Sequence, residues 1–211
     1  METHPFSLHE RFIKRTLDII GGSIGSLIFL ILLILLAPFY LFAPKCERGP
    51  ILYTQKRFKK DGKEFQILKF RTMIVHDKSY WIKHPEVYKA YRDNGNKLEN
   101  DPRITKVGKF IRCTSLDEIP QFVNVLIGDM SLVGPRPILE FEISEYGERI
   151  NELWNTKPGI TGYWTTHGRS KVLFPERAEM ELKYNCVHCT LFDLKTILLT
   201  IEQVIFRKDA Y

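Results

Sequence analysis

The sequence predicts an α+β protein, mostly α, in two parts: a membrane-anchoring segment over residues 1–48 and a compact domain over residues 49–211. Three observations predict it. Residues Ile19 to Phe42 carry no charge, and Leu27 to Leu36 is an unbroken aliphatic run with one phenylalanine. A short alternating pattern on either side of Lys59-Lys60-Asp61-Gly62-Lys63 marks a small β-hairpin, with few other strand signals. The chain closes on Leu191, Leu194, Leu198, Ile201 and Ile205, spaced by three and four residues as on one helix face.

The uncharged segment comes first. A bilayer needs roughly 20 apolar residues, so this stretch is long enough to enter one. A cleaved signal peptide fits poorly, because the apolar part is long and Ala43-Pro44-Lys45 makes a weak cleavage site. A simple spanning helix meets cations on both flanks: Arg11, Lys14 and Arg15 before it, and Lys45, Arg48, Lys56 and Arg57 after it. The positive-inside rule expects asymmetry there. Cations at both ends suit a re-entrant helix that returns to the face it entered, and Ala37-Pro38 supplies the kink such a path requires. Gly21-Gly22-Ser23 and Gly25-Ser26 permit close helix contact; no Gly-Lys-Ser/Thr follows, so they are not a phosphate loop.

From Gly49 the character changes. Pro50 to Gln55 and Glu64 to Phe70 form the hairpin, which leads into Lys69-Phe70-Arg71-Thr72-Met73. Residues 76–100 read as a surface insertion, partly helical through Pro85 to Tyr91. Gln121 to Ile127 is a short helix closed by Gly128. Glu140 to Asn155 is a polar helix carrying Phe141, Ile150 and Trp154. The terminal leucine–isoleucine stripe fits core packing first, with an interfacial amphipathic helix on the membrane as the alternative.

Composition narrows the function. At 44% hydrophobic and 27% charged, the 211-residue chain is folded rather than disordered. A formal charge of +6 favours anionic partners: nucleic acid, an anionic membrane surface or a phosphorylated substrate. Four scattered cysteines make no disulfide framework and point to a reducing compartment. Cys186 and Cys189 form a C-x-x-C without the second pair a structural zinc needs, so they read as packing residues.

Placement of charge decides among the partners. Asp117 and Glu118 are adjacent in Ser115-Leu116-Asp117-Glu118-Ile119-Pro120-Gln121. Ser115-x-x-Glu118 matches a capping box, the bland reading. Pro120 weakens it, since proline prefers the first helical position. A helix starting near Pro120 leaves both acids just outside its positive end, where phosphates rest. Carboxylates tolerate phosphate only with cations between them. Arg103, Lys106, Lys109 and Arg112 lie upstream, Arg136 sits on a stiff Pro135-Arg136-Pro137 backbone, and Lys69, Arg71 and Arg169 are further candidates. Magnesium, which takes one or two carboxylates plus phosphate oxygens, completes the logic, with one acid on the metal and the other free to attack phosphorus.

At these residues the chain strongly resembles the bacterial sugar transferase family, the monotopic phosphoglycosyl transferases. The motifs run nearly end to end and in order: Lys14-Arg15-x-x-Asp18, Gln55-x-Arg57, Lys69-Phe70-Arg71-Thr72-Met73, Asp101-Pro102-Arg103-Ile104-Thr105, the Asp117-Glu118 segment, Gly128 to Pro137, and Pro158-Gly159-Ile160-Thr161-Gly162. The resemblance implies that Asp117 attacks the sugar-bearing phosphate of a UDP-sugar, releasing UMP, and that polyprenyl (undecaprenyl) phosphate then takes the phosphosugar. It implies Glu118 as ligand of Mg2+, with Mn2+ as an alternative. It implies Lys69, Arg112, Arg136 and Arg169 around the phosphates, an acid at Glu181, and Gln121 beside them. Also implied are a hexose donor such as galactose or glucose, with an N-acetylamino sugar as the alternative, and a first step in exopolysaccharide, capsule, O-antigen or glycoprotein glycan synthesis. The expected setting is the bacterial inner membrane, with the catalytic domain resting on its cytoplasmic face, lipids around the anchor and downstream glycosyltransferases as partners. With no multi-span segment ahead of the core, the minimal form is expected.

Three departures stand out. The proline step is Ala37-Pro38 rather than Ser-Pro, Glu181 stands where aspartate is common, and Gly162-Tyr163-Trp164-Thr165-Thr166-His167-Gly168-Arg169 replaces a Trp-Ala-Gln-Val-Asn-Gly-Arg type of run. Two rival classes fare worse. A nucleic-acid binder would set basic residues on one helix face with stacking aromatics, whereas these surround acids and prolines. A non-catalytic scaffold would be expected to lose Asp117 or Glu118.

Overall fold

The structure, a computed structural model, describes residues 6–75, 79–93, 98, 101–167, 172 and 174–206. In chain order the helices are α1 (Leu8–Leu41), α2 (Ser79–Lys83), α3 (Pro85–Asp93), α4 (Lys106–Cys113), α5 (Gln121–Ile127), α6 (Ile150–Leu153), α7 (Tyr163–His167), α8 (Glu176–Val187) and α9 (Thr190–Ile205). The strands are β1 (Leu52–Phe58), β2 (Glu64–Phe70), β3 (Ser131–Val133) and β4 (Gly159–Thr161). The class is mostly helical with little sheet, as the sequence predicts.

Helix α1 begins at a capping box: Ser7 Oγ accepts the Glu10 N–H at 3.2 Å, and the Glu10 carboxylate accepts the Ser7 N–H at 2.9 Å. Its buried residues are Asp18, Gly22, Gly25, Phe29, Leu36 and Tyr40, a narrow stripe at helical spacing that lies on the rest of the molecule. The other faces stay apolar and open, with Ile24, Leu27, Ile34 and Leu35 exposed. It is the one helix among the described residues long and apolar enough to cross a membrane. The helix continues through Ala37 and Pro38 and ends at Leu41, with Phe42 N–H still donating to the Pro38 carbonyl at 2.9 Å. Pro38 thus lies inside the last turn, where it donates no bond to the carbonyl four residues earlier.

Glycines let α5 press into α1. A Cβ on Gly25 would lie 2.1 Å from the Phe122 ring, and one on Gly22 would meet the Leu126 backbone at 3.1 Å. Polar ties then lock the seam. Lys14 Nζ donates to the Val133 carbonyl (2.8 Å), Tyr184 Oη (3.1 Å) and Asp193 Oδ2 (2.6 Å). Arg15 caps the end of α5 through the carbonyls of Val125 and Leu126, and Asp18 accepts from Ser131 Oγ and the Leu132 N–H. The Lys14-Arg15-x-x-Asp18 motif thus docks α1 to α5, β3 and α9.

The hairpin is as expected: β1 and β2 pair antiparallel from Leu52 opposite Phe70 to Phe58 opposite Glu64, with Asp61 and Gly62 at positive φ in the turn. One core joins Phe29, Leu36 and Tyr40 of α1 to Phe70 and Ile111; a second joins Phe65 and Ile67 to Val125 and Met130. Asn124 bonds α5 to β2, accepting the Leu68 N–H at 3.0 Å and donating to the Gln66 carbonyl at 2.9 Å. A parallel pair, β3 with β4, was not anticipated; at three residues each the strands are too short for a periodic signal.

Two expectations are corrected. Glu140 to Asn155 is not one α-helix but a 3₁₀ stretch, Glu140–Arg149, broken where Gly147 takes φ 52, followed by the short α6. The stripe on α9 is not core: Leu191 and Leu198 are 76% and 67% exposed, while Asp193 and Thr196 are buried. Asp193 faces Lys14, and Thr200 Oγ1 pairs with Thr161 Oγ1 at 2.6 Å, so the polar side docks α9 and the apolar side faces out. The insertion is partly helical, in α2 and α3, as expected.

Candidate active site

The acid pair is built from β2, α4 and the turn between α4 and α5. Thr105 caps α4 through the Gly108 N–H at 2.9 Å, and Gly108 is obligatory because a Cβ there would sit 1.9 Å from the Thr72 carbonyl. Helix α4 ends near Arg112, whose Nε donates to Thr72 Oγ1 at 2.9 Å. Ser115 then adopts the left-handed conformation (φ 56), turning the chain so that Leu116–Glu118 forms a 3₁₀ turn. Ser115 makes no capping bond, so the capping-box reading of Glu118 falls away. Leu116 and Ile119 pack on the core containing Phe70 and Ile111 and fix the two acids between them.

Lys69 Nζ, from β2, binds Glu118 Oε1 at 2.9 Å. Burial, then the neighbouring Glu118 charge, push the Asp117 carboxyl up to about 6, against the pull of Lys69 and Arg112. Burial also acts on Glu118, but Lys69, Arg136 and a bond from Gln121 outweigh it and hold that carboxyl below its usual range. Two adjacent acids are thereby split in character. Asp117 is the more basic, and Glu118 is the anchored anion, its side chain still 45% exposed beside Lys69.

The structure brings Lys69, Arg112, Gln121 and Arg136 to the acids. It commits two other expected cations elsewhere. Arg71 spends its guanidinium on the carbonyls of Pro50 (2.6 Å), Met73 (2.7 Å) and Glu47 (3.1 Å), and lies over the Tyr40 ring. Arg103 is chelated by Asp101 and held over Trp81 and Tyr91 at 4.4 and 4.9 Å. Both are buried braces, because internal acceptors satisfy them before a ligand arrives. Glu181 is 1% exposed and accepts the backbone N–H of Arg136 with Oε2 at 2.8 Å, so it sets the pose of the Pro135-Arg136-Pro137 segment. Arg57 braces the same segment from β1, donating to the Pro137 carbonyl at 2.9 Å while Gln55 orients it. Arg169 lies outside the described residues.

Sequence reasoning missed Trp164 and Arg177. The Arg136 and Arg177 guanidinium carbons lie 5.7 and 4.4 Å from the Trp164 ring. The available hints were the departing run from Gly162 to Arg169, which contains Trp164, and the spacing Arg177-x-x-x-Glu181, which puts both side chains on one face of α8. Among the described residues no group of three His, Cys, Asp or Glu gathers as a metal cluster. Glu118 and Asp117 remain the acids with which a magnesium ion could be shared with substrate phosphates, the mode that ion prefers.

Fold and site define a helix-rich protein with one membrane-grade helix and an acid pair framed by cations suited to phosphate groups. The chain belongs to the bacterial sugar transferase family, which it matches over residues 9–207. It is 40% identical over 205 residues to the UDP-galactose-lipid carrier transferase of Erwinia amylovora, covering 95% of this chain and 42% of that protein. It is 38% identical over 203 residues to the undecaprenyl-phosphate galactose phosphotransferase of Salmonella typhimurium, covering 95% and 42%. It is 33% identical over 202 residues to the exopolysaccharide production protein ExoY of Rhizobium meliloti, covering 94% and 88%. The chain thus spans under half the length of the first two relatives and most of the third.

Proposed function

We propose that this chain is a sugar-phosphate transferase that moves a hexose 1-phosphate, galactose or glucose, from a UDP-sugar to polyprenyl phosphate. The observation that carries this reading is the Asp117-Glu118 pair held beside Lys69, which binds Glu118 at 2.9 Å, with Arg112 and Arg136 acting on the two acids. The names of the Erwinia and Salmonella relatives support the substrates.

In the first step an Asp117 oxygen attacks the sugar-bearing phosphorus, and the bond to the bridging oxygen breaks with its electron pair leaving on UMP. In the second, an oxygen of polyprenyl phosphate attacks the same phosphorus and frees the Asp117 carboxylate. Lys69 and Arg112 neutralise the phosphate oxygens, which otherwise repel the carboxylate. A magnesium ion, when bound at Glu118, would supply further charge neutralisation of the diphosphate. The exposed apolar faces of α1 and α9 seat the molecule in the membrane, with α1 as a re-entrant anchor and the site on the cytoplasmic side of the inner membrane.

Membranes bearing the protein, incubated with UDP-sugars, polyprenyl phosphate and magnesium, are expected to release UMP with one hexose donor preferred. Silence across a broad sugar panel sinks the enzyme reading. Preference for an N-acetylamino sugar overturns the donor class and leaves the chemistry standing.

A further inference from the structure

Beyond the acid pair, the least satisfied charges in the described molecule lie between α7 and α8. Arg177 is 9% exposed, its Nε has no hydrogen-bond partner, and it forms no ion pair with a described residue. Its contacts are the rings of Trp164 and Phe174, at 4.4 and 5.2 Å. Arg136 shares the Trp164 ring, and its Nε is also buried without a partner, as is the Trp164 indole N–H. The nearby acids do not close the account. Glu142 lies 3.7 Å from Arg57, and Glu181 gives one oxygen to the Arg136 backbone and leaves Oε1 unpartnered. Burial and then Arg136 hold Arg177 below its usual range, a sign that the two cations repel. Glu181 and Glu142 pull the other way without pairing directly with it, and a buried guanidinium left unpaired is costly unless a ligand supplies the partner.

We propose that Arg177, with Arg136 and Trp164, seats the phosphate of the departing nucleotide, a phosphate monoester dianion. The inference rests on the reading above, in which the donor is a nucleoside diphosphate sugar. Arg136 is the link, since it acts on Glu118 on one side and shares the Trp164 ring with Arg177 on the other. In-line displacement sends the leaving group away from the attacking carboxylate. With Asp117, Lys69 and Arg112 around the sugar-bearing phosphorus, the outgoing phosphate falls to Arg136 and Arg177. The electron pair of the broken P–O bond then rests on an oxygen facing two guanidiniums and an indole N–H, and no proton is required. Trp164 occupies a position in the run that departs from the related pattern, so it is a candidate reader of the nucleotide end.

The test compares wild type with Arg177→Gln and Arg177→Lys in detergent, by calorimetric titration with UMP, with inorganic phosphate and with a short polyprenyl phosphate. Arg177→Gln is expected to weaken UMP about tenfold or more and to leave polyprenyl phosphate within about twofold, with no fall in melting temperature. Unchanged UMP affinity overturns the seat, and so does a loss confined to polyprenyl phosphate, which assigns the site to the acceptor. If the glutamine variant does not fold, Arg177→Lys decides: a loss of about threefold for UMP at unchanged melting temperature supports the seat, and no loss overturns it. Donor-dependent UMP release by wild type, measured in parallel, separates the two failures. Release with an indifferent Arg177 sinks the seat alone, whereas no release sinks the reading beneath it.

Discussion

Two regions of this molecule bury cations beside acids, and they treat them differently. In the seam between α1 and the body, Lys14 has three acceptors, Arg15 has two carbonyls, and Asp18 has two donors. Around Glu118 and Trp164, Arg136 and Arg177 share a ring and feel nearby carboxylates, but the Nε of each is buried without a hydrogen-bond partner. The first arrangement is finished by folding. The second is unfinished, and the missing charge matches the phosphates that the acid pair is proposed to handle. In these two regions, satisfaction of the buried polar groups, rather than their number, separates the docking seam from the proposed seat.

That contrast can be broken or sharpened by substitution. The largest effect is expected from Asp117→Asn, which should lower donor-dependent UMP release by about a thousandfold or more, as loss of a covalent nucleophile does. The same variant should melt no lower than wild type at pH 7. A carboxyl raised above its unfolded pKa contributes stability at low pH that is lost as pH rises through about 6, so its charge is a burden at neutrality. A large drop in melting temperature would make Asp117 a structural acid. Lys14→Met should do the reverse, costing about 3 kcal/mol in denaturant unfolding by stranding Asp193. Gly25→Leu, driven into the Phe122 ring, should cost about 1–3 kcal/mol by overpacking.

Next comes pH. With Asp117 as nucleophile, kcat/KM should fall about tenfold per unit below pH 6 and level off above it, and Asp117→Glu should move that limb. A flat profile between pH 5 and pH 8 removes the raised carboxyl from the rate. The smallest effect is expected at Arg149, whose pairs with Glu152 and Glu179 are solvent-exposed. Arg149→Ala should change stability by under about 1 kcal/mol and leave UMP release alone.

Much of this was legible in the sequence because it is local. The hairpin announces itself through alternation and an Asp-Gly turn, α5 through its closing Gly128, and the long apolar helix α1 through its lack of charge. The acid pair and Lys69, Arg112 and Arg136 were legible as motifs. What failed was partnership across the fold. Arg71 and Arg103 look like ligand cations in a string of residues, yet Arg71 is spent on three carbonyls and Arg103 on Asp101. The stripe on α9 has the spacing of a core helix, and only the polar contacts of Asp193 and Thr200 show which side is turned inward. Arg177 was silent because its significance is the lack of a partner, which no spacing encodes.

The way α1 is fastened has one more consequence. It is pinned near its start, where Asp18 meets β3, and near its end, where the Tyr40 hydroxyl donates to the Arg71 carbonyl, with the glycine notch at Gly22 and Gly25 between them. A rod fixed at both ends is a gauge. Adding one residue between Gly25 and Phe29 would advance Tyr40 by about 1.5 Å and turn it by about 100°, pulling the hydroxyl off its carbonyl and bringing the exposed Leu35 and Phe39 toward the places that Leu36 and Tyr40 hold in the core. Under the proposed membrane placement, the depth at which Asp117 works is counted out in whole residues of the anchor, and lengthening the helix would detune the site rather than merely lift it.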